Sequence, residues 1–269
     1  MLVLFTTFGG MWLTGASLGV GRTVLLLGAT FLVVGAANAF NCYLERSSDR
    51  FMARTALRPL PQGRMEPVVA LVAAALMATV GLPLLVVWAN PLTGALGALA
   101  LLSYVLAYTP LKRRTEHAML VGALPGALPP LMGWTAITGQ VETPGLLLFA
   151  IMFLWQLPHF LAIALFRKDE YRAAGLTSVP LARGDRAARV QAVAYVVALL
   201  GVSVLPYFAK VAGPWYLAAA VALGLGFLAQ AVRGAVQGLG ARWARGLFGT
   251  SLLYVMGLFV ALGVDGGPR

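Results

Sequence analysis

Asn41, Glu45 and Asp49 stand four residues apart, so on a helix their side chains project from one face. One amide and two carboxylates offer oxygen ligands only. That is the donor set Mg²⁺ takes when it binds through one or two carboxylates and fills its remaining positions with water and phosphate oxygens. Arg50, Arg54 and Arg58 follow at once, and guanidinium forks match the oxygens of a diphosphate. Read alone, the arginines fit a salt-bridged basic cap equally well. The Asn41, Glu45 and Asp49 face begins inside an apolar segment, where ionisable groups are expensive unless they bind something. The chemistry expected here is a divalent metal holding a phosphate-rich substrate.

Two further constellations bear on that chemistry. Tyr108, Lys112 and Arg113 close another apolar run and offer a phenol and two cations. On their own they read as an interfacial tyrosine with ordinary basic flanks. Gln156 and His159 lie three apart within an apolar run, on one helical face. They are candidates to touch a polar group of a large planar substrate or to move a proton; a histidine satisfied by a neighbouring helix is the alternative. The other histidine is His117, so a histidine-based metal site is not expected. Asp169 and Glu170 are candidates for a second Mg²⁺, against an exposed loop salt bridge. The single cysteine, Cys42, excludes an internal disulfide and a cysteine-based metal site.

The elements that position these residues are membrane helices. Of 269 residues, 60% are apolar and 11% charged, against about 25% charged in a soluble domain. Continuous apolar runs of about 20 residues recur, which argues against the alternation of a membrane β-barrel. The expected fold is all-α and polytopic, a single domain over 1–269, with nine spans around a central cavity. The spans fall near 2–20, 23–44, 67–89, 91–109, 118–138, 144–166, 190–208, 213–232 and 246–264. The first is read as a span and not as a cleaved signal peptide. Of 20 Lys and Arg, only Arg22, Lys210 and Arg269 fall in the odd-numbered loops or at the C-terminus. Basic residues mark the inner face, so the N-terminus is expected inside and the C-terminus outside. This sorting explains the net charge of +11 without a nucleic-acid partner. Most carboxylates share the basic face, including the two long loops 45–66 and 167–189. An anion transporter needs polar groups toward both faces, and this chain offers few on the outer one. The segment from Gly122 to Trp134, with Pro125, Pro129 and Pro130, should bend its helix and line the cavity. Close helix packing through small residues is the other reading of it.

With these residues in hand, the chain resembles the UbiA superfamily of intramembrane aromatic prenyltransferases over nearly its whole length. Within it, the chain is similar to the branch that farnesylates protohaem. The resemblance rests on Asn41-x-x-x-Glu45-x-x-x-Asp49, on Tyr108-x-x-x-Lys112 with Arg113, on Pro125-Gly126 with Gly133-Trp134, and on Trp155-Gln156-Leu157-Pro158-His159 with Asp169-Glu170-Tyr171. It implies transfer of a farnesyl group from farnesyl diphosphate to a vinyl group of haem B, with water added, giving haem O and diphosphate. Prenylation of a quinone-type acceptor is the alternative. The implied metal is Mg²⁺, on Asn41, Glu45, Asp49 and Asp169, which with Lys112 form the catalytic set. The implied substrate-binding set is Arg50, Arg54, Arg58, Tyr108, Arg113, Gln156, His159 and Tyr171. Other implied partners are membrane lipid and a haem A synthase. The implied place is a bacterial inner membrane, with the site toward the cytoplasm. The chain departs from the family at Thr177-Ser178-Val179-Pro180, where a Met-Leu-Pro-like run is usual, at His117, and at its start, where members carry a segment with Lys-Pro.

Overall fold

A computed structural model describes residues 2–16 and 19–267. Four helices come first: α1 (Leu2–Trp12), α2 (Val20–Glu45), α3 (Pro67–Trp88) and α4 (Pro91–Leu102). A wide turn, Ser103–Tyr108, carries α4 into the single turn α5 (Thr109–Leu111). Then come α6 (Ala118–Thr138), α7 (Thr143–Phe166), the short α8 (Lys168–Ala173) and α9 (Val179–Ala182), α10 (Gly184–Phe208), α11 (Pro214–Gln237) and α12 (Ala241–Asp265). Starts and stops follow local chemistry. Prolines open α3, α4 and α11, where a missing N–H is harmless. Asn90 caps α4 by accepting from the Thr93 N–H at 2.9 Å. Gly139 and Gly238 end α6 and α11 in the left-handed conformation.

Among the described residues, eight segments are long and apolar enough to cross a membrane, with α4 and α5 counting as one, Pro91–Leu111. The expected span over 2–20 is met only in part. The 11 residues of α1 reach about 16 Å at 1.5 Å per residue, short of a hydrocarbon core of roughly 30 Å. The chain turns after Trp12, with Gly15 at φ 69°. Ser17 and Leu18 of that span, and Arg269, expected on the outer face, lie outside the described residues.

The long helices form two packed groups that share α6. One core joins α7, α10, α11 and α12; the other joins α2, α3 and α4. α6 contributes to both, and 67% of its most apolar stretch is buried, against at most 50% for any other span. The cavity-lining role expected for its Pro and Gly residues is therefore corrected. Pro125, Pro129 and Pro130 sit inside one continuous helix, and only Ala118 and Met119 of α6 reach the cavity described below. Its glycines are packing sites instead. A Cβ at Gly133 would collide with the Thr7 carbonyl of α1, and one at Gly10 with the Pro130 carbonyl. The backbones of α1 and α6 meet where side chains are absent, as close membrane helix packing requires.

Candidate active site

A cavity of about 540 Å³ opens at one end of the bundle, within the usual range of about 300–1,000 Å³ for small-molecule sites. Its walls come from the last turns of α2, the following loop, the wide turn before α5, the start of α6, the end of α7, and the α8–α9 region. Asn41, Glu45, Asp49, Arg54, Arg58, Tyr108, Lys112 and Tyr171 all line it, so eight residues singled out in the sequence share one space.

Helical spacing on α2 delivers Asn41 and Glu45, both buried. Asp49 begins a tight 3₁₀ turn, Asp49–Phe51, pinned by the Thr55 hydroxyl donating to the Asp49 carbonyl at 2.9 Å. The Asp49 side chain is 0% exposed. Arg58 donates to its Oδ2 at 2.8 Å, while its Oδ1 is buried without a partner. Burial works against the charge on Arg58, but the hydrogen bond to Asp49 and the nearby negative charge outweigh it and raise its proton affinity. Asn41 spends its amide N–H on the Thr109 hydroxyl at 3.3 Å, leaving the amide oxygen as the atom it can offer.

Lys112 donates to both carboxylate oxygens of Glu45, at 3.1 and 3.2 Å. Its ammonium also lies 4.5 Å from the Tyr108 ring centre, in cation–π range. The backbone that aims Tyr108 and Lys112 is a π turn. Pro110 has no N–H to give the Leu106 carbonyl, and the Thr109 hydroxyl bonds the Tyr104 carbonyl five residues back, at 2.9 Å. Such local widening is frequent at functional sites. Gly122 leaves the room that the Tyr108 ring fills. Tyr104 lines the same wall and was missed in the sequence; its four-residue spacing from Tyr108 was the available signal.

The opposite wall is apolar, with Phe160, Leu161, Ile163, Ala164 and Phe166 of α7, Val179 of α9 and Phe248 of α12. Tyr171 closes this side, and burial pushes its phenol up to about 12, so it stays neutral at any working pH. Arg167 and Glu170 also line the cavity, paired at 2.9 Å. At the rim, Glu116 accepts from Arg183 at 2.9 Å. Its own backbone hydrogen bond and then that from Arg183 hold Glu116 below the usual carboxylate range.

Five expected site residues stand elsewhere. Asp169 is 93% exposed and pairs with Arg172 at 2.8 Å; on the short helix α8 it points away, and its neighbour Glu170 is the carboxylate that reaches the cavity. Arg50 is exposed and outside the lining. Arg113 donates to the Ser48 hydroxyl at 2.9 Å, bracing the loop behind Asp49. Gln156 donates to the Met152 and Ala123 carbonyls at 2.9 and 3.2 Å, tying α7 to α6 over Gly126, where a Cβ would strike it. His159 bonds the Ser251 hydroxyl at 2.7 Å, with ring centres of Trp155 and Phe248 at 4.9 and 4.6 Å. Gln156 and His159 thus fasten α7 to its neighbours behind the apolar wall.

Among the described residues no group of three His, Cys, Asp or Glu could hold a metal by itself. The convergent donors are the carboxylates of Glu45 and Asp49 and the amide of Asn41. That set, with a buried Asp49 oxygen lacking any protein partner, suits a cation that completes its shell with substrate phosphate and water.

A profile of the UbiA prenyltransferase family matches residues 3–262. The chain is 61% identical over 268 residues to a protoheme IX farnesyltransferase of Myxococcus xanthus (strain DK1622), covering 100% of this chain and 91% of that protein. A second protoheme IX farnesyltransferase, from Sorangium cellulosum (strain So ce56), is 49% identical, with 97% and 99% covered. Among solved structures, a digeranylgeranylglyceryl phosphate synthase superposes with a TM-score of 0.82 at 20% identity, covering 97% of this chain and 91% of the other. A UbiA homolog from Archaeoglobus fulgidus bound to GPP and Mg²⁺ gives 0.65 at 14% identity, with 97% and 96% covered.

Proposed function

Because the chain belongs to the UbiA prenyltransferase family, we propose that it transfers a farnesyl group from farnesyl diphosphate to a vinyl group of haem B, with water, to give haem O and diphosphate. Relatives at up to 61% identity bearing the protoheme IX farnesyltransferase name supply the acceptor and the prenyl length. The observation that carries the chemistry is one cavity with two unlike ends. Carboxylates and cations crowd one end, and an aromatic and aliphatic wall forms the other.

Asn41, Glu45 and Asp49 would hold Mg²⁺, which when bound neutralises the leaving diphosphate. Lys112 and Arg54, with Arg58 behind Asp49, place positive charge where the carbon–oxygen bond breaks. Charge stabilised as it develops is usually the largest catalytic contribution. Neutral Tyr108 and Tyr171 can donate to phosphate oxygens without adding charge. The wall of Phe160, Phe166 and Phe248 keeps water from the farnesyl cation until the electron-rich vinyl group attacks it; water then closes the second carbocation as a hydroxyethyl group and a proton leaves. Asp169, Arg50, Arg113, Gln156 and His159 take no direct part in this reading.

The chain is a multi-pass membrane protein in one domain. In this reading the N-terminus lies inside and the C-terminus outside, and the site faces the cytoplasm of a bacterial inner membrane. The supporting observation is that the basic loops 46–66, 112–117 and 167–183 all meet at the cavity end of the bundle. A haem A synthase, which consumes haem O, is the expected functional partner.

The test is product mass. Purified protein given farnesyl diphosphate, haem B and Mg²⁺ is expected to yield haem O and diphosphate. Unchanged haem B, together with prenylation of a hydroxybenzoate-type acceptor, would transfer the assignment to the quinone branch.

A further inference from the structure

Ser178 carries a hydroxyl with no partner at the cavity wall. The residue is 7% exposed, its Oγ is buried and makes no hydrogen bond, and it lines the cavity that holds Asp49 and Lys112. The other buried hydroxyls among the described residues are all engaged; Thr30, Thr55, Thr109 and Ser251, for example, bond backbone carbonyls at 2.6–2.9 Å.

The sequence explains why this one is unspent. Ser178 stands just before α9 (Val179–Ala182), where a serine normally accepts from an N–H two or three residues on. Pro180 has no N–H, and the Leu181 N–H bonds the Ser178 carbonyl at 3.0 Å. The segment is nevertheless held firmly. The Thr177 N–H donates to the Lys112 carbonyl at 2.7 Å, and the Thr177 hydroxyl to the Arg113 carbonyl at 3.2 Å. Ser178 is therefore fixed one residue from the segment carrying the main cavity cation. A buried polar group left unmatched is unfavourable, so a ligand oxygen that meets it gains relative to one that does not.

We propose that the Ser178 hydroxyl donates a hydrogen bond to an anionic oxygen of bound substrate and so helps set specificity. This rests on the prenyl-transfer reading. The diphosphate of the donor and the propionate carboxylates of the acceptor share the required chemistry. Residue 178 is thus a polar contact beside Val179 and Tyr171 in the cavity wall.

Ser178→Thr and Ser178→Val test it, since they match in shape and differ in the hydroxyl. Binding of an unreactive farnesyl thiodiphosphate with Mg²⁺, and of haem B, is titrated separately for the wild type and both variants, with thermal midpoints measured alongside. The valine variant is expected to bind one of the two ligands about tenfold more weakly than the threonine variant, with the other ligand and the thermal midpoint unaffected. The ligand that weakens identifies the oxygen. Equal dissociation constants for Thr and Val, or equal losses for both ligands, would overturn the proposal, as would a wild type that binds neither. A wild type that binds both but forms no haem O would sink the prenyl-transfer reading and leave the hydrogen bond standing.

Discussion

Asp49→Asn is expected to abolish turnover, lowering kcat/KM by about 10³-fold or more, while the protein still inserts and folds. The substitution keeps shape and removes one charge. Arg58 can still donate to the amide oxygen that replaces Oδ2, and the Thr55 bond goes to the backbone of residue 49, so the turn keeps its ties. What changes is the buried Oδ1 that no protein group satisfies. An amide nitrogen there would present hydrogens toward the place a cation needs. Asp169→Asn is the control. Its side chain is 93% exposed and salt-bridged to Arg172, so activity should stay within about twofold, as for most surface changes. Turnover assays with farnesyl diphosphate and haem B check both. Near-normal activity of Asp49→Asn would defeat the reading of this end of the cavity as the ionising site.

Lys112→Met should lower kcat by about 10²- to 10³-fold, the scale seen when one donor to a developing oxyanion is lost. Methionine keeps the length of the chain over Tyr108 and drops the ammonium. Lys112 lies 3.1 and 3.2 Å from the two Glu45 oxygens, so its removal also frees that carboxylate. Affinity for Mg²⁺ should therefore hold or rise while the chemical step slows. Single-turnover rates measured alongside Mg²⁺ titrations separate the two effects. A loss confined to Mg²⁺ affinity, with the saturated rate intact, would make Lys112 a mere organiser of Glu45.

The charged end of the cavity was legible in the sequence because its chemistry needs particular residue types at helical spacing. Asn41, Glu45 and Asp49 announce themselves by interrupting an apolar run, and Lys112 by following Tyr108 at one turn. The long helices were legible for the same reason, since hydropathy and opening prolines are local. What the sequence hid depends on contacts between distant segments. Gln156 and His159 were correctly seen as polar groups within an apolar helix, but their partners are the Ala123 carbonyl of α6 and Ser251 of α12, and no local pattern distinguishes a helix fastener from a ligand. Asp169 and Glu170 are adjacent, and which one enters the cavity depends on how α8 docks. The role of α6 stayed open in the sequence because proline and glycine signal both a broken cavity helix and a close packing seam; the approach of α1 at Gly10 and Gly133 decides for the second. Ser178 stood in the sequence only as part of the departure over Thr177–Pro180, and Pro180 two residues later was the signal that its hydroxyl has no cap to make.

The most direct measurement is a structure with Mg²⁺ and farnesyl thiodiphosphate bound. The expected result is a metal ion coordinated by Asp49 with Glu45 or Asn41, its diphosphate against Lys112 and Arg54, and the farnesyl chain along Phe160, Phe166 and Phe248. A diphosphate bound away from Asp49 and Lys112, or held there with no metal contact to Asp49, would contradict it.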